Sequence, residues 1–490
     1  MDNGKQTKFN PSFESLRNYQ CPQWFRDAKF GMWSHWGPQS VPMFGDWYAR
    51  MMYVEGHPQY LYHLRHYGHP SKFGYKDLVK LWKAEKFNPD ELMELYYNAG
   101  ARYFLGQAMH HDHFFNFPSK YNRFNSTQVG PMKDICGMWK AAADNLKMPF
   151  GLTEHLGATF SWWFVNKGAD KSGPCAGVPY DGNDPDYRVY YLDNYGEILD
   201  SQQAFAQWYT ENTKFHDYWL NVMKELIDLY TPDLLYSDGP LPFGKRDMDS
   251  PDNPRFRNGL EAVAYLYNAS AVKYGENRAV YCQKDVRPEI YQIGILDVEK
   301  SQLPGIHNDP WQTDTCVGNW FYDARQTYKQ PGHIIEMLVD IIAKNGNMVL
   351  NILQLPDGAI DEEERYILRE LSGWFGVCGE AVYGTHPWRV FGEGPSGVVL
   401  DGFKEDAVNW TSSDFRFVCK DGGKTLCAYL MRAPENGVAV IKSLNPADVV
   451  KEVTLLGGGR VEFSQAFGVL TVKLPEKLPT KYVNCLKIKL

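Results

Sequence analysis

The feature that most constrains this chain is a repeating unit. A short apolar run is followed directly by a polar residue and then by an amphipathic stretch with helix-ending signals. Phe30–Trp36 and Tyr103–Ala108 read as strands. Between them, Asn88 is placed to cap a helix, with Pro89 as its first residue, Glu91 as capping partner and Gly100 as terminator. The alternation continues through the runs Phe150–His155, Leu234–Asp238, Ala279–Lys284, Ile295–Glu299 and Met348–Leu353. Helical stretches fall at Asp134–Lys147, Ala204–Tyr230, Asn258–Tyr274, Gly332–Lys344 and Asp361–Phe375. Strands alternating with helices pair in parallel through right-handed crossovers. Up to eight such units predict an α/β fold, a (β/α)8-like barrel with large loop insertions. A doubly wound open sheet is the alternative, disfavoured because no Gly-x-Gly-x-x-Gly follows the first strand.

After Tyr383 the texture changes. Val398–Phe403, Phe415–Lys420, Thr425–Met431, Val438–Ser443, Val450–Leu456 and Ala466–Lys473 are short strand-like runs separated by Gly, Asp, Asn and Pro. Such spacing predicts an antiparallel β-sandwich. The expected division is residues 1–382 for the barrel and 383–490 for the sandwich.

Composition narrows the partners. A formal charge of −8 without any basic block argues against nucleic acid. No run approaches the ~18 uninterrupted apolar residues of a membrane span, so no membrane association is expected. Nine cysteines scattered without a Cys-x-x-Cys pair read as free thiols. The first residues, MDNGKQTKFN, hold no apolar signal core. The chain is therefore either intracellular or an exported protein whose leader this sequence lacks; a soluble periplasmic or secreted protein is the expectation. Oligomeric state is not legible. Aromatic residues make up 15%, a richness that suits a site gripping the flat apolar faces of sugars as well as a core.

In a parallel barrel, reactive groups come from the carboxyl ends of strands. That rule selects His35, then His110 and His111 with Asp112, then Glu154 and His155, Asp238 and Glu299. Metal-dependent hydrolysis would use the His and Asp residues as ligands, but no His-Glu-x-x-His helix is present. Glycoside hydrolysis would use two carboxylates, for which Asp238 and Glu299 on different strands are suited. No Gly-x-Ser-x-Gly elbow or phosphate-binding loop offers a rival chemistry.

The stretch WFRDAKFGMWSHWGPQSVPMFGDWYARMMY (Trp24–Tyr53) resembles the N-terminal signature of glycoside hydrolase family 29, the α-L-fucosidases. MHHDHFFNFPSKYNRFNS, PDLLYSDG, DVEKSQ, PWQTDTCVGNW and MLVDIIAKNGNMVLNILQLPDG resemble further blocks of that family. The resemblance implies a retaining exo-α-L-fucosidase that takes terminal fucose from oligosaccharides or glycans, with no metal or other cofactor. It assigns Asp238 as nucleophile and Glu299 as acid/base, in the branch associated with α-1,3/1,4 linkages. Gln312 stands where many relatives carry Glu, which favours Glu299 for that role. Carried over in the same way, His35, Asp46, Trp47, His110, His111, His155 and Trp311 contact the sugar. A non-catalytic carbohydrate-binding protein on a hydrolase barrel and a metal-dependent barrel hydrolase are the alternatives.

Overall fold

The structure, a computed structural model, describes residues 8–192, 208–245, 249–400, 403 and 405–490. Eight parallel strands close into a barrel in sequential order. They are β1 (Phe30–Ser34), β2 (Phe104–Met109), β3 (Phe150–Glu154), β4 (Leu234–Ser237), β5 (Val280–Gln283), β6 (Ile295–Asp297), β7 (Trp311–Cys316) and β8 (Gly346–Asn351). Pairing of Gly31 with Val349 joins β8 to β1 and completes the ring. Every residue of these strands is buried. That is what a parallel sheet covered on its outer face by helices and filled inside by side chains requires.

Local signals set the helix ends. The Asn88 side chain accepts the Glu91 N–H at the start of helix Pro89–Asn98. Just past its end, Gly100 adopts φ +104°, and a Cβ there would meet the Phe375 ring at 2.3 Å. Only glycine satisfies both conditions. In helix Glu362–Cys378, Asp361 and Glu364 exchange capping hydrogen bonds, so the acidic run serves the helix N-terminus. Helices Arg257–Tyr274 and Pro331–Ala343 lie within one residue of their expected ends. Helix Thr213–Tyr230 ends where expected but starts at Thr213, since residues 208–212 are not helical and Asn212 caps the first turn. The expected start at Ala204 lies outside the described residues.

One strand escaped the sequence pattern. β7, WQTDTC, carries Gln312, Thr313, Asp314 and Thr315 in its middle and is nonetheless wholly buried. Those polar side chains bond within the barrel: Gln312 Nε2 donates to Asp297 (2.7 Å), and Thr313 Oγ1 donates to the Val298 carbonyl (2.7 Å).

The C-terminal part forms two antiparallel sheets. One has six strands, β9 (His386–Glu393), β10 (Phe415–Lys420), β11 (Thr425–Leu430), β13 (Glu452–Leu455), β14 (Gly459–Arg460) and β17 (Asn484–Lys489), ordered β14-β13-β17-β11-β10-β9. The other pairs β16 (Val469–Lys473) with β12 (Val438–Ile441) and β15 (Phe463–Ala466). Alternate residues such as Phe415, Phe417, Leu426, Ala428, Leu486 and Ile488 form one core with Ile441, Leu470 and Val472 of the smaller sheet. The opposite face of the large sheet, with Val418, Cys427, Tyr429 and Cys485, joins the barrel's own core. Buried Arg416 reaches Asp340 of helix Pro331–Ala343, and Trp374 Nε1 donates to the Val483 carbonyl at 2.7 Å. The expected run Val398–Phe403 is not a strand over residues 398–400, and residues 401–402 lie outside the described residues. Among the described residues, no helix is long and apolar enough to cross a membrane.

Candidate active site

A cavity of about 710 Å3 opens at the carboxyl ends of the barrel strands. His35 lines it just past β1, His110 and His111 past β2, His155 past β3, Asp238 past β4, Lys284 past β5 and Glu299 past β6, while Asp314 comes from β7. Asp46 and Trp47 line it from the loop after β1. Trp33, Tyr236, Trp208 and Trp320 supply aromatic surface, and Phe403, from the segment between β9 and β10, also borders it. The volume lies in the usual range for ligand sites and exceeds the needs of a few waters.

The acidic side chains are gathered around one ammonium. Lys284 Nζ lies 2.8 Å from Asp238 Oδ1, 2.5 Å from Glu299 Oε2 and 3.6 Å from Asp314 Oδ2. Its backbone N–H donates to the Gly239 carbonyl at 2.7 Å, which pins the residue beside Asp238. Tyr236 OH donates to Asp314 Oδ2 (2.9 Å) and lies 3.3 Å from Asp238 Oδ1. Trp320 Nε1 donates to the other oxygen of Glu299 at 3.2 Å. Burial alone would raise the Asp238 carboxyl, but Lys284 and His111 outweigh it and hold Asp238 well below the usual carboxylate range. Glu299 is pushed up by burial and by the charges of Asp314 and Asp238, with Lys284 opposing. Two carboxyls in one cavity thus differ in the direction of their shifts, one ionised and one inclined to keep its proton.

The imidazoles form the adjoining wall. His111 Nδ1 donates to the His155 carbonyl at 2.6 Å, and His155 Nδ1 donates to the Met109 carbonyl at 3.3 Å. Gln39 accepts the Ala49 N–H on its carbonyl oxygen and donates from its amide nitrogen to His110 Nδ1 at 2.8 Å. Both ring nitrogens of buried His35 have no hydrogen-bond partner among the described residues. Because His35 lines the cavity, these two nitrogens are available to a polar group that enters it. Burial holds His35, His110 and His155 in the neutral form, His155 being lowered to about 3. Each neutral ring can then donate from one nitrogen and accept at the other.

Ligand nitrogens of His35, His110 and His155 all fall within 4.8 Å of one another, close enough to hold a metal ion. The Gln39 amide argues against that use. By donating to His110 Nδ1 it leaves the ring proton on Nε2, so that nitrogen is a donor and not a ligand.

Asp46 accepts the Trp47 N–H at 2.8 Å, and burial pushes its carboxyl up to about 7. Trp47 sits at φ +59°, in the left-handed region that a bulky residue seldom occupies. That backbone conformation turns the indole to the cavity wall, where it meets Trp162 edge-on at 5.7 Å.

Three sequence expectations are corrected. Trp311 does not reach the cavity: it opens β7 at the far end of the barrel, is fully buried and donates from Nε1 to the Lys344 carbonyl at 3.0 Å. Glu154 lies behind the wall, accepting from Trp219 Nε1 at 3.1 Å and from the Gly157 N–H. Asp112 accepts from Tyr75 OH at 2.5 Å and caps the turn at Phe114. Conversely, Lys284, Asp314, Tyr236, Trp320 and Phe403 were not singled out. Lys284 carried the needed signal, since it closes an apolar run as the others do.

An eight-stranded parallel barrel whose carboxyl-end cavity combines paired carboxyls, imidazoles and aromatic faces defines a glycoside hydrolase. A family model described as alpha-L-fucosidase matches residues 2–380. Tissue alpha-L-fucosidase of Mus musculus is 28% identical over 500 residues, spanning 96% of this chain and 92% of its own. That of Homo sapiens is 28% identical over 461 residues, spanning 92% and 84%. Among solved structures, Thermotoga maritima alpha-fucosidase in complex with fucose shares the fold at TM-score 0.72 and 24% identity, over 98% of this chain and 100% of that one. A trapped covalent intermediate of an alpha-L-fucosidase from Bacteroides thetaiotaomicron does so at TM-score 0.66 and 18% identity, over 95% of each chain. The chain belongs to the α-L-fucosidase family, glycoside hydrolase family 29.

Proposed function

We propose that the chain is a retaining exo-α-L-fucosidase with Asp238 as nucleophile and Glu299 as general acid and base. The spacing of the two carboxyls carries this reading. Contacts of 2.8 and 2.5 Å to the same Lys284 nitrogen leave Asp238 Oδ1 and Glu299 Oε2 no more than about 5.3 Å apart. Retaining glycosidases place their pair about 5–5.5 Å apart, whereas inverting enzymes leave about 6.5–9.5 Å for a water between them.

In the first step an Asp238 oxygen forms a bond to the anomeric carbon while the bond to the leaving oxygen breaks and Glu299 protonates it. In the second, water attacks the same carbon, gives its proton to Glu299 and displaces Asp238. His35, His110, His111, His155 and Asp46 meet the sugar hydroxyls; Trp47 and Trp33 face the ring and its methyl group. The substrates are fucosylated oligosaccharides or glycoconjugates, with α-1,3 and α-1,4 linkages favoured by the resemblance around Glu299. The names of the mouse and human relatives, the fucose in the Thermotoga structure and the covalent intermediate in the Bacteroides structure all support this reading.

Proton NMR of the first fucose released from an aryl α-L-fucoside tests it. Retention gives the α-anomer first, followed by slow mutarotation; the β-anomer first, or no turnover at all, contradicts it.

A further inference from the structure

We propose that Lys284 is a positioning residue, a fixed counter-ion shared by Asp238 and Glu299 that sets their spacing and balances whichever of them carries the negative charge. The inference rests on the roles given to those two carboxyls above.

The geometry is unusual for a buried lysine. Its side chain is only 11% exposed, yet its nitrogen touches Asp238, Glu299 and Asp314. The charged and titratable groups facing it come from three strands. Tyr236 and Asp238 belong to β4 and its end, Asp297 and Glu299 to β6 and its end, and Asp314 to β7; the Tyr236 ring centroid is 5.5 Å away. His35 and His155 lie on the remaining side, uncharged, and His111 contacts the far oxygen of Asp238. One cation among four carboxyls stays protonated, since their attraction outweighs the cost of burial.

The reaction moves one negative charge back and forth between the two oxygens that Lys284 holds. Before the first step Asp238 is the anion and Glu299 carries the proton. When the Asp238 oxygen bonds the anomeric carbon, its charge is consumed; the proton passes from Glu299 to the leaving oxygen, so Glu299 becomes the anion. The second step restores the starting arrangement, with the water proton on Glu299 and the bond between carbon and Asp238 broken. Lys284 therefore keeps one anionic partner throughout without moving, a preorganised charge of the kind that lowers barriers in enclosed sites.

The test is the pH dependence of kcat/KM for an aryl α-L-fucoside in K284M, K284Q and K284R. Removing the charge makes Asp238 harder to ionise and Glu299 harder to deprotonate. Both limbs of the profile should then move to higher pH in K284M and K284Q, with kcat/KM lowered on the order of 10²–10³-fold. K284R should return both limbs towards their original positions. K284Q gives the same readout if K284M does not fold. Limbs that stay in place in folded K284M or K284Q, or that move in opposite directions, overturn the proposal. Chemical rescue of D238A by azide separates the two failures: with rescue, unmoved limbs refute only the role of Lys284; without it, the underlying assignment falls.

Discussion

The Nε2 of His111 stands 3.2 Å from Oδ2 of Asp238, while Lys284 occupies the other oxygen at 2.8 Å. The proposed nucleophile is thus held from both sides, by Lys284 from the adjacent strand β5 and by His111 from β2, two strands away. Its carboxylate plane is set by β2 and β5, the strands whose ends carry these two residues.

Replacing His111 removes one of those two supports. A hydrogen bond to a charged group contributes about 1.5–3 kcal/mol. H111A should accordingly lower kcat/KM on an aryl fucoside by about 10- to 100-fold and move the acid limb of the profile to higher pH. A variant with an unmoved acid limb would show that His111 contributes nothing to the ionisation of Asp238.

Glu299 sets the alkaline side. Activity requires Asp238 ionised and Glu299 protonated. Asp238 is held below the usual carboxylate range, so its requirement is met even in mild acid; Glu299 is raised, and activity falls as pH climbs through its value. E299Q should lose far more activity on fucosyl oligosaccharides than on substrates with good leaving groups, and on the latter its alkaline limb should disappear. Equal losses on both substrate types would place the acid elsewhere.

The imidazole wall yields a simple solution test. If His35, His110 and His155 serve hydroxyl groups, incubation with EDTA followed by gel filtration leaves turnover unchanged. Activity that is lost and then restored by a divalent metal would instead support the metal reading of their 4.8 Å cluster.

Trp311 separates packing from recognition. Cutting a fully buried tryptophan to alanine costs about 3–5 kcal/mol. W311A should melt well below the parent protein, while W311F, where folded, keeps KM for the aryl fucoside. A several-fold rise in KM in folded W311F would restore Trp311 to the sugar site.

Much of the barrel was legible because parallel strands buried on both faces must be apolar, and seven of them read as apolar runs. β7 was hidden because its interior residues are polar and bond across the barrel, Gln312 to Asp297 of β6 and Asp314 to Tyr236 of β4, instead of making apolar contact. β9 and β17 were missed for a related reason: Arg389 and the lysines of β17 give those strands a polar texture. In the site, the rule that polar residues follow strands found Asp238 and the histidines locally. It could not tell wall from backing, which is why Glu154 and Asp112 were drawn in. Nor could it reach Phe403, whose place at the cavity depends on packing between segments far apart in the chain. Glu299 was expected to close its strand; it lies two residues beyond Asp297, where the turn after β6 brings it against Lys284 and Trp320.

The proposed preference for α-1,3 and α-1,4 linkages is open to direct measurement. Lewis-type trisaccharides should be cleaved with a higher kcat/KM than 2′-fucosyllactose. The reverse order would contradict the proposed α-1,3/1,4 preference.

The central claim is that Asp238 forms the bond to the sugar, and azide rescue of D238A measures it most directly. With an aryl α-L-fucoside, D238A should be slower than the parent by several orders of magnitude, and added azide should restore turnover with β-fucosyl azide as product. Near-normal activity of D238A without azide, or no azide adduct at any concentration, would contradict it.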